Sequence, residues 1–155
     1  MLAFAGNSLL CRLALGRGLL DAGTFATGDI ASIDPNGYLQ ITDRAKDVIK
    51  SGGEWVSSVD LENCACGHPD VLMAAAIGVR HPKWEERPLL LVVPKQGRTP
   101  TRDSVLAHLA PYFAKWQLPD DVLLVDAIPL TATGKLNKLA LRARYRDHLM
   151  QHPAG

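Results

Sequence analysis

At 155 residues, 47% of them hydrophobic and 21% charged, the chain has the size and composition of one globular domain, or of a small domain with a piece attached. Its 17 basic and 16 acidic residues leave a net charge of +1, which argues against a general affinity for nucleic acid or membrane surfaces. The longest apolar run, Val71 to Val79, is nine residues, too short for a membrane span, and three cysteines cannot form a paired framework. Cys64 and Cys66 stand too close for a metal knuckle, so they are expected as small buried side chains in a reducing cytoplasm.

Residues 1–23 show no clean period and read as a poorly specified, weakly helical leader, with Arg12 and Arg17 inside what a signal peptide would keep apolar. Ile30–Ile33 and Tyr38–Ile41 flank Asp34-Pro-Asn-Gly37, a hairpin turn in which Pro sets φ and Asn-Gly accepts positive φ. A second, tighter hairpin pairs Val48–Lys50 with Glu54–Val56 around Ser51-Gly52-Gly53. Ser57 or Ser58 caps a helix to about Gly67, with Asp60 or Glu62 in its first turn where the helix dipole favours negative charge. Val71–Val79 and Leu89–Val93 read as buried strands around a polar loop, His81–Pro88. Thr99 or Thr101 opens a helix with Val105, Leu106, Leu109, Tyr112 and Phe113 on one face. Val122–Val125 is a third buried strand, and after the loop Pro129–Lys135, Asn137 opens a last helix to about Leu149. This order predicts an α+β domain: a small three-stranded sheet with packed helices, preceded by β-hairpins.

Several residues could carry chemistry. In Thr131-Ala-Thr-Gly-Lys135 a hydroxyl-rich loop presents one ammonium, a compact charge suited to phosphate. It is not a nucleotide-cradling P-loop, since Pro129 stands where the first glycine is required and Leu136 where Ser or Thr must follow. Asp29, after the turn glycine Gly28, could accept from vicinal hydroxyls, or simply cap its turn. Lys46 and Lys50 alone read as solvated charges, and Trp55 and Trp84 as half-buried packing or aromatic platforms. His68 and His81 precede prolines in loops, and His148 and His152 lie near the terminus. No H-E-x-x-H, Cys/His spacing or G-x-S-x-G is present, so metal-hydrolase and serine-hydrolase chemistry has no support, and no metal site is expected.

The order and spacing of these signals say more than each alone. Thr27-Gly-Asp29, a hairpin, Asp43-Arg44-x-Lys46-Asp47-x-Ile49-Lys50-x-Gly52-Gly53, a Glu-bearing helix and Pro129-x-x-x-x-Gly134-Lys135 resemble the C-terminal lid of adenylate-forming acyl-CoA synthetases. Gly-Gly-Glu-Trp-Val-Ser-Ser, His81–Pro88 and Phe113–Pro119 look most like the medium- and long-chain fatty-acid ligases. The resemblance runs from about Thr24 to Leu149. It implies a division into residues 1–23, an unmatched leader; 24–43, the hairpin tail of an adenylation domain; 44–150, the lid; and 151–155, a tail.

The resemblance further implies ATP and CoA as substrates, Mg2+ entering with ATP, a fatty or other carboxylic acid as the third substrate, and no tightly bound cofactor. Asp29, Arg44, Glu54 and Trp55 would bind nucleotide, and Asp43 and Lys46 would form the hinge. Lys135 would act catalytically in adenylation and Lys50 in the second step, with Gly52, Gly53 and Trp55 near CoA. Such a lid turns between half-reactions, presenting two faces in succession. The family's large N-terminal adenylation domain is the implied partner. A lid alone lacks a preorganised cavity, so the isolated chain is expected to form no acyl-adenylate. A non-catalytic module of the same fold, binding CoA or a protein, is the alternative. Lys135 also resembles a site silenced by a lysine acetyltransferase, through loss of its charge.

Overall fold

The computed structural model describes residues 3–5, 8–11, 29–33, 35–44 and 47–151, with side chains for 35–38 and 47–151. The chain divides into two compact units, Met1–Val48 and Ile49–Gly155. The first holds a four-stranded antiparallel meander in chain order: β1 (Ala3–Ala5), β2 (Ser8–Cys11), β3 (Asp29–Ile33) and β4 (Leu39–Arg44). Two of these strands lie in residues 1–23, where the sequence reads as helix. Segments of three and four residues are too short to show a period; pairing defines them, β2 on β3 with Leu9 opposite Ile33 and Leu10 opposite Ser32, and β1 on β2 with Phe4 opposite Leu9. The β3–β4 turn is the expected one, with Gly37 at φ +86°. Asp34 itself lies outside the described residues.

The second unit contains β5 (Ile49–Ser51), β6 (Glu54–Val56), α1 (Ser58–Cys66), β7 (Val71–His81), β8 (Glu85–Pro94), α2 (Arg102–Leu109), β9 (Asp121–Leu124), α3 (Lys138–Tyr145) and α4 (His148–Gln151). Its sheet runs β6-β5-β8-β7, with β9 parallel to β8. The α+β class holds, and β7, β8 and β9 are the three strands expected from sequence. The β5–β6 hairpin joins them through a single pair, Ser51 opposite Glu85, which enlarges the sheet to five strands.

Alternation along the two long strands, β7 and β8, sends side chains to opposite faces, and both faces are buried. Ala74, Ala76, Leu90 and Val92 pack with Leu61 and Ala65 of α1 and Val105 and Leu109 of α2. Ala75, Ile77, Leu89 and Leu91 pack with Leu141 of α3 and Leu149 of α4. Helices on both sides explain why these strands read as continuous apolar runs. Each fully buried Leu, Ile or Val contributes about 1.5–3 kcal/mol.

The helix starts follow local chemistry. Ser57 Oγ accepts from the Asp60 amide, and Thr101 and Ser104 form a reciprocal capping box. Other expectations shift. His81–Pro88 is not a long loop: the ladder continues through Arg80–Glu86 and His81–Glu85, leaving a turn at Pro82–Trp84 with Glu85 at φ +67°. Lys83 and Glu85 face solvent at the turn, while Arg87, equally polar in sequence, is buried. α2 ends at Leu109, which leaves Tyr112 70% exposed, although Phe113 still packs on the core. β9 is only half buried, since Leu124 faces out. The last helix breaks after Tyr145 because the Arg146 carbonyl accepts from Arg80 N–H of β7, at 3.0 Å, and a new turn starts at Asp147. Cys64 is partly buried and Cys66 exposed, against the expectation that both are small buried side chains; burial raises the Cys64 thiol pKa.

Candidate functional site

Lys135 sits on a loop that holds its own shape. Leu130 and Leu136 form an antiparallel bridge, Thr131 N–H donates to the Lys135 carbonyl at 2.7 Å, and Asn137 N–H donates to the Pro129 carbonyl at 2.8 Å. Within this frame Gly134 N–H donates to the Thr131 carbonyl at 2.9 Å, and Thr131 Oγ1 accepts from Lys135 N–H at 3.2 Å. Gly134 takes φ +77°, the left-handed conformation that closes the turn. Asn137 then caps α3 through the Ala140 amide. The backbone is fixed while the Lys135 side chain is exposed, so a charge is displayed from a defined place.

The β5–β6 hairpin displays the other lysine. Its register sets Lys50 opposite Trp55, which puts the exposed lysine and the half-buried indole on one face, with Ile49 and Val56 turned to the core. Gly52 and Gly53 form the turn at φ +59° and +88°. Both, like Glu54, are exposed. The Trp84 ring lies against Gly52, where an added Cβ would come 2.9 Å from the indole, and Gly52 N–H donates to the Trp84 carbonyl at 3.0 Å. Lys83 Nζ stands 4.4 Å from that ring's centre. Trp84 therefore braces the glycine turn, a role its position in an apparently polar loop had hidden.

Sequence reasoning also missed Arg87. This buried arginine donates from Nε to Asp120 Oδ1 at 2.8 Å, from Nη1 to Ser51 Oγ at 2.8 Å and to the Trp116 carbonyl, and from Nη2 to the Leu118 carbonyl at 3.1 Å and to Asp120. One guanidinium so ties the hairpin end of β5 to the segment Trp116–Asp120. Glu86 adds a second tie: its Oε2 accepts from Lys50 N–H at 3.3 Å and passes over Gly78, where a Cβ would meet it at 2.5 Å. The available signal was the glycine within an apolar strand, which marks a close approach.

In the first unit, β3 and β4 make Asp29 and Arg44 direct cross-strand partners, with Asp43 opposite Ile30. The side chains of Asp29, Asp43 and Arg44, and the whole of Lys46, lie outside the described residues, as does His152. The division between the compact units falls at Val48/Ile49, just beyond the Asp43–Asp47 segment. Among the described residues no cluster of His, Cys, Asp and Glu could hold a metal, and no helix is long and apolar enough to cross a membrane.

Residues 60–135 match the AMP-binding enzyme C-terminal domain. The chain is similar to 3-methylmercaptopropionyl-CoA ligase of Ruegeria lacuscaerulensis, 56% identical over 131 residues that make up 84% of this chain and 24% of that protein. It is also similar to the long-chain-fatty-acid–CoA ligase of Thermus thermophilus, 54% identical over 146 residues, 94% of this chain and 26% of that one, an extent that necessarily takes in part of residues 1–23. Among solved structures, ATP-bound MatB from Rhodopseudomonas palustris superposes with a TM-score of 0.75 at 35% identity, over 80% of this chain and 25% of that one. The chain thus spans about a quarter of the length of the curated relatives it matches. It belongs to the adenylate-forming acyl-CoA ligase family, of which it carries the C-terminal domain.

Proposed function

We propose that this chain acts as the lid of an ATP-dependent fatty-acid–CoA ligase, working with an N-terminal adenylation domain. What supports the reading is that Lys135 and Lys50 are both exposed, on two turns each fixed from behind. In the first step a carboxylate oxygen attacks the α-phosphorus of ATP, which enters with Mg2+, and pyrophosphate leaves. The Lys135 ammonium is the group to meet the charge gathered on the α-phosphoryl oxygens. In the second, the CoA thiol attacks the acyl carbonyl and AMP leaves. Withdrawing Lys135 and bringing up the Lys50–Trp55 face with Gly52 and Gly53 clears a path for the pantetheine arm. Asp43 and Lys46 serve as the hinge, and Asp29, Arg44, Glu54 and Trp55 hold the nucleotide. The setting is cytoplasmic, where ATP and CoA are available. Acetylation of Lys135 Nζ would remove its charge and switch off the first step; mass spectrometry that never finds this modification in cells with active protein acetylation contradicts it.

As purified, the 155 residues make no acyl-adenylate, because a lid supplies charge without the cavity that aligns the reactants. Carboxylate-dependent pyrophosphate release is expected only after mixing with an N-terminal adenylation domain of a related fatty-acid ligase. Release by the chain alone, or none from the mixture under conditions where the two parts associate, overturns the proposal.

A further inference from the structure

Lys138 lies three residues beyond Lys135, at the start of α3, yet it is buried. Its Nζ is 2.8 Å from Glu62 Oε1 and donates to Ser58 Oγ at 2.7 Å. Glu62 is buried too, and its Oε1 also accepts from the Ala76 amide of β7 at 2.8 Å. A buried ion pair contributes little to stability by itself, because desolvation offsets the attraction; what it supplies is geometry. Here the geometry is specific. Ser58 opens α1, directly after the hairpin that carries Lys50 and Trp55, while Lys138 follows the loop that carries Lys135. The two partners are 80 residues apart in sequence and are joined at one buried point.

We propose that the Lys138–Glu62–Ser58 cluster is a positioning brace that fixes the Lys135 loop and the Lys50 hairpin relative to one another within the lid. The proposal rests on the functional reading above for the roles of those two turns, but the brace itself is a property of the isolated chain. Lys138 and Glu62 touch no substrate; they act through the loops they anchor. A lid that alternates two faces needs those faces at a constant offset, or the position gained in one half-reaction would be lost in the next. α1 and α3 pack on opposite faces of the sheet, so no apolar interface sets one against the other; an ammonium on a flexible stem, satisfied by a carboxylate and a hydroxyl of α1, ties the start of α3 to the start of α1.

The test is residue-resolved amide hydrogen exchange by NMR on the 155-residue chain, comparing wild type with Glu62→Gln, Lys138→Met and Lys138→Arg, and with the double variant Glu62→Leu/Lys138→Met. In the two single apolar or neutral variants, exchange at Thr131 and Asn137 and at the hairpin amides of Gly52 and Val56 should rise together by about tenfold or more, while the β7 and β8 amides of Ile77 and Leu91 keep their protection. Lys138→Arg should restore most of the loop protection. The double variant should likewise keep core protection and leave the loops loose. Should loop exchange stay at the wild-type rate, or rise only in step with Ile77 and Leu91, the cluster is ordinary core and the proposal fails. A fully protected loop in the double variant also overturns it, since packing alone would then suffice. None of these readouts requires ligase activity, so failure of the brace and failure of the lid reading remain separable.

Discussion

The two lysine-bearing turns of the second unit are built by opposite means. The Lys135 loop is closed by its own backbone, with Thr131, Lys135, Pro129 and Asn137 bonded to each other, and it reaches the core only at its end. The Lys50 hairpin has a three-residue ladder on each side and is held from outside, by Trp84 against Gly52, Glu86 at the Lys50 amide and Arg87 at Ser51. Buried charge lies behind both exposed lysines: Arg87 behind one turn, Lys138 behind the other. The difference predicts that the glycine turn of the hairpin is sensitive to the side chains packed on it, while the turn of the loop depends on its own backbone and is anchored from elsewhere only at its end, through Lys138.

Arg87→Met should have the largest effect. It takes the guanidinium from the buried Ser51 and the partly buried Asp120 and should cost about 3 kcal/mol in urea or guanidinium unfolding. Arg87→Lys keeps the charge but loses the planar fork, and should recover only part. A loss below about 1 kcal/mol would show that the hairpin stands without this hub.

The glycine turns give a matched pair. Gly52→Ala meets both a left-handed φ and the Trp84 ring, so it should cost roughly 2–3 kcal/mol. Gly134→Ala meets open space and only the φ penalty, about 1 kcal/mol. Equal costs would contradict the idea that the hairpin turn, unlike the Gly134 turn, is packed against at its glycine. In a Trp84→Ala background the two glycine substitutions should become similar, a coupling that a double-mutant cycle measures.

A smaller, pH-dependent effect concerns how α4 is held beside β9. Burial opposes ionisation of Asp121, but the His148 ring, the Val122 amide and Arg102 outweigh it and keep its carboxyl below the usual range. A carboxyl depressed in the folded state stabilises above its unfolded pKa, and that contribution is lost as pH falls through the folded one. The difference in stability between wild type and Asp121→Asn should therefore narrow as the pH drops below the ordinary carboxylate range, roughly pH 4. A difference that stays constant through this acid window would show that the charge of Asp121 plays no part.

How much of this was legible follows from the range of each interaction. The Asp34–Gly37, Gly52-Gly53 and Gly134 turns were readable because the residues that dictate them are the turns themselves. The caps at Ser57, Thr101 and Asn137 were readable for the same reason. Arg87 and Asp120 are 33 residues apart, and nothing local in Glu86-Arg87-Pro88 distinguishes a buried hub from a polar loop. The break between α3 and α4 depends on a bond to β7, and β2 on pairing with β3, so neither leaves a period in its own segment. Lys138 was visible only as one of a run of basic residues after Lys135; its burial required knowing where Glu62 lies. The residues proposed to carry chemistry were thus easier to single out in the sequence than the residues that hold their turns.

Of these measurements, the half-reactions separate the two turns most directly. With the chain assembled on an N-terminal adenylation domain, acyl-adenylate formation and thioester formation from preformed acyl-adenylate would be timed apart for wild type, Lys135→Ala and Lys50→Ala. Lys135→Ala should slow the first by about a hundredfold or more and spare the second, with unfolding stability within about 0.5 kcal/mol of wild type. Lys50→Ala should spare adenylation and slow thioester formation. Equal slowing of both steps by either substitution would contradict a lid that works with two separately built faces.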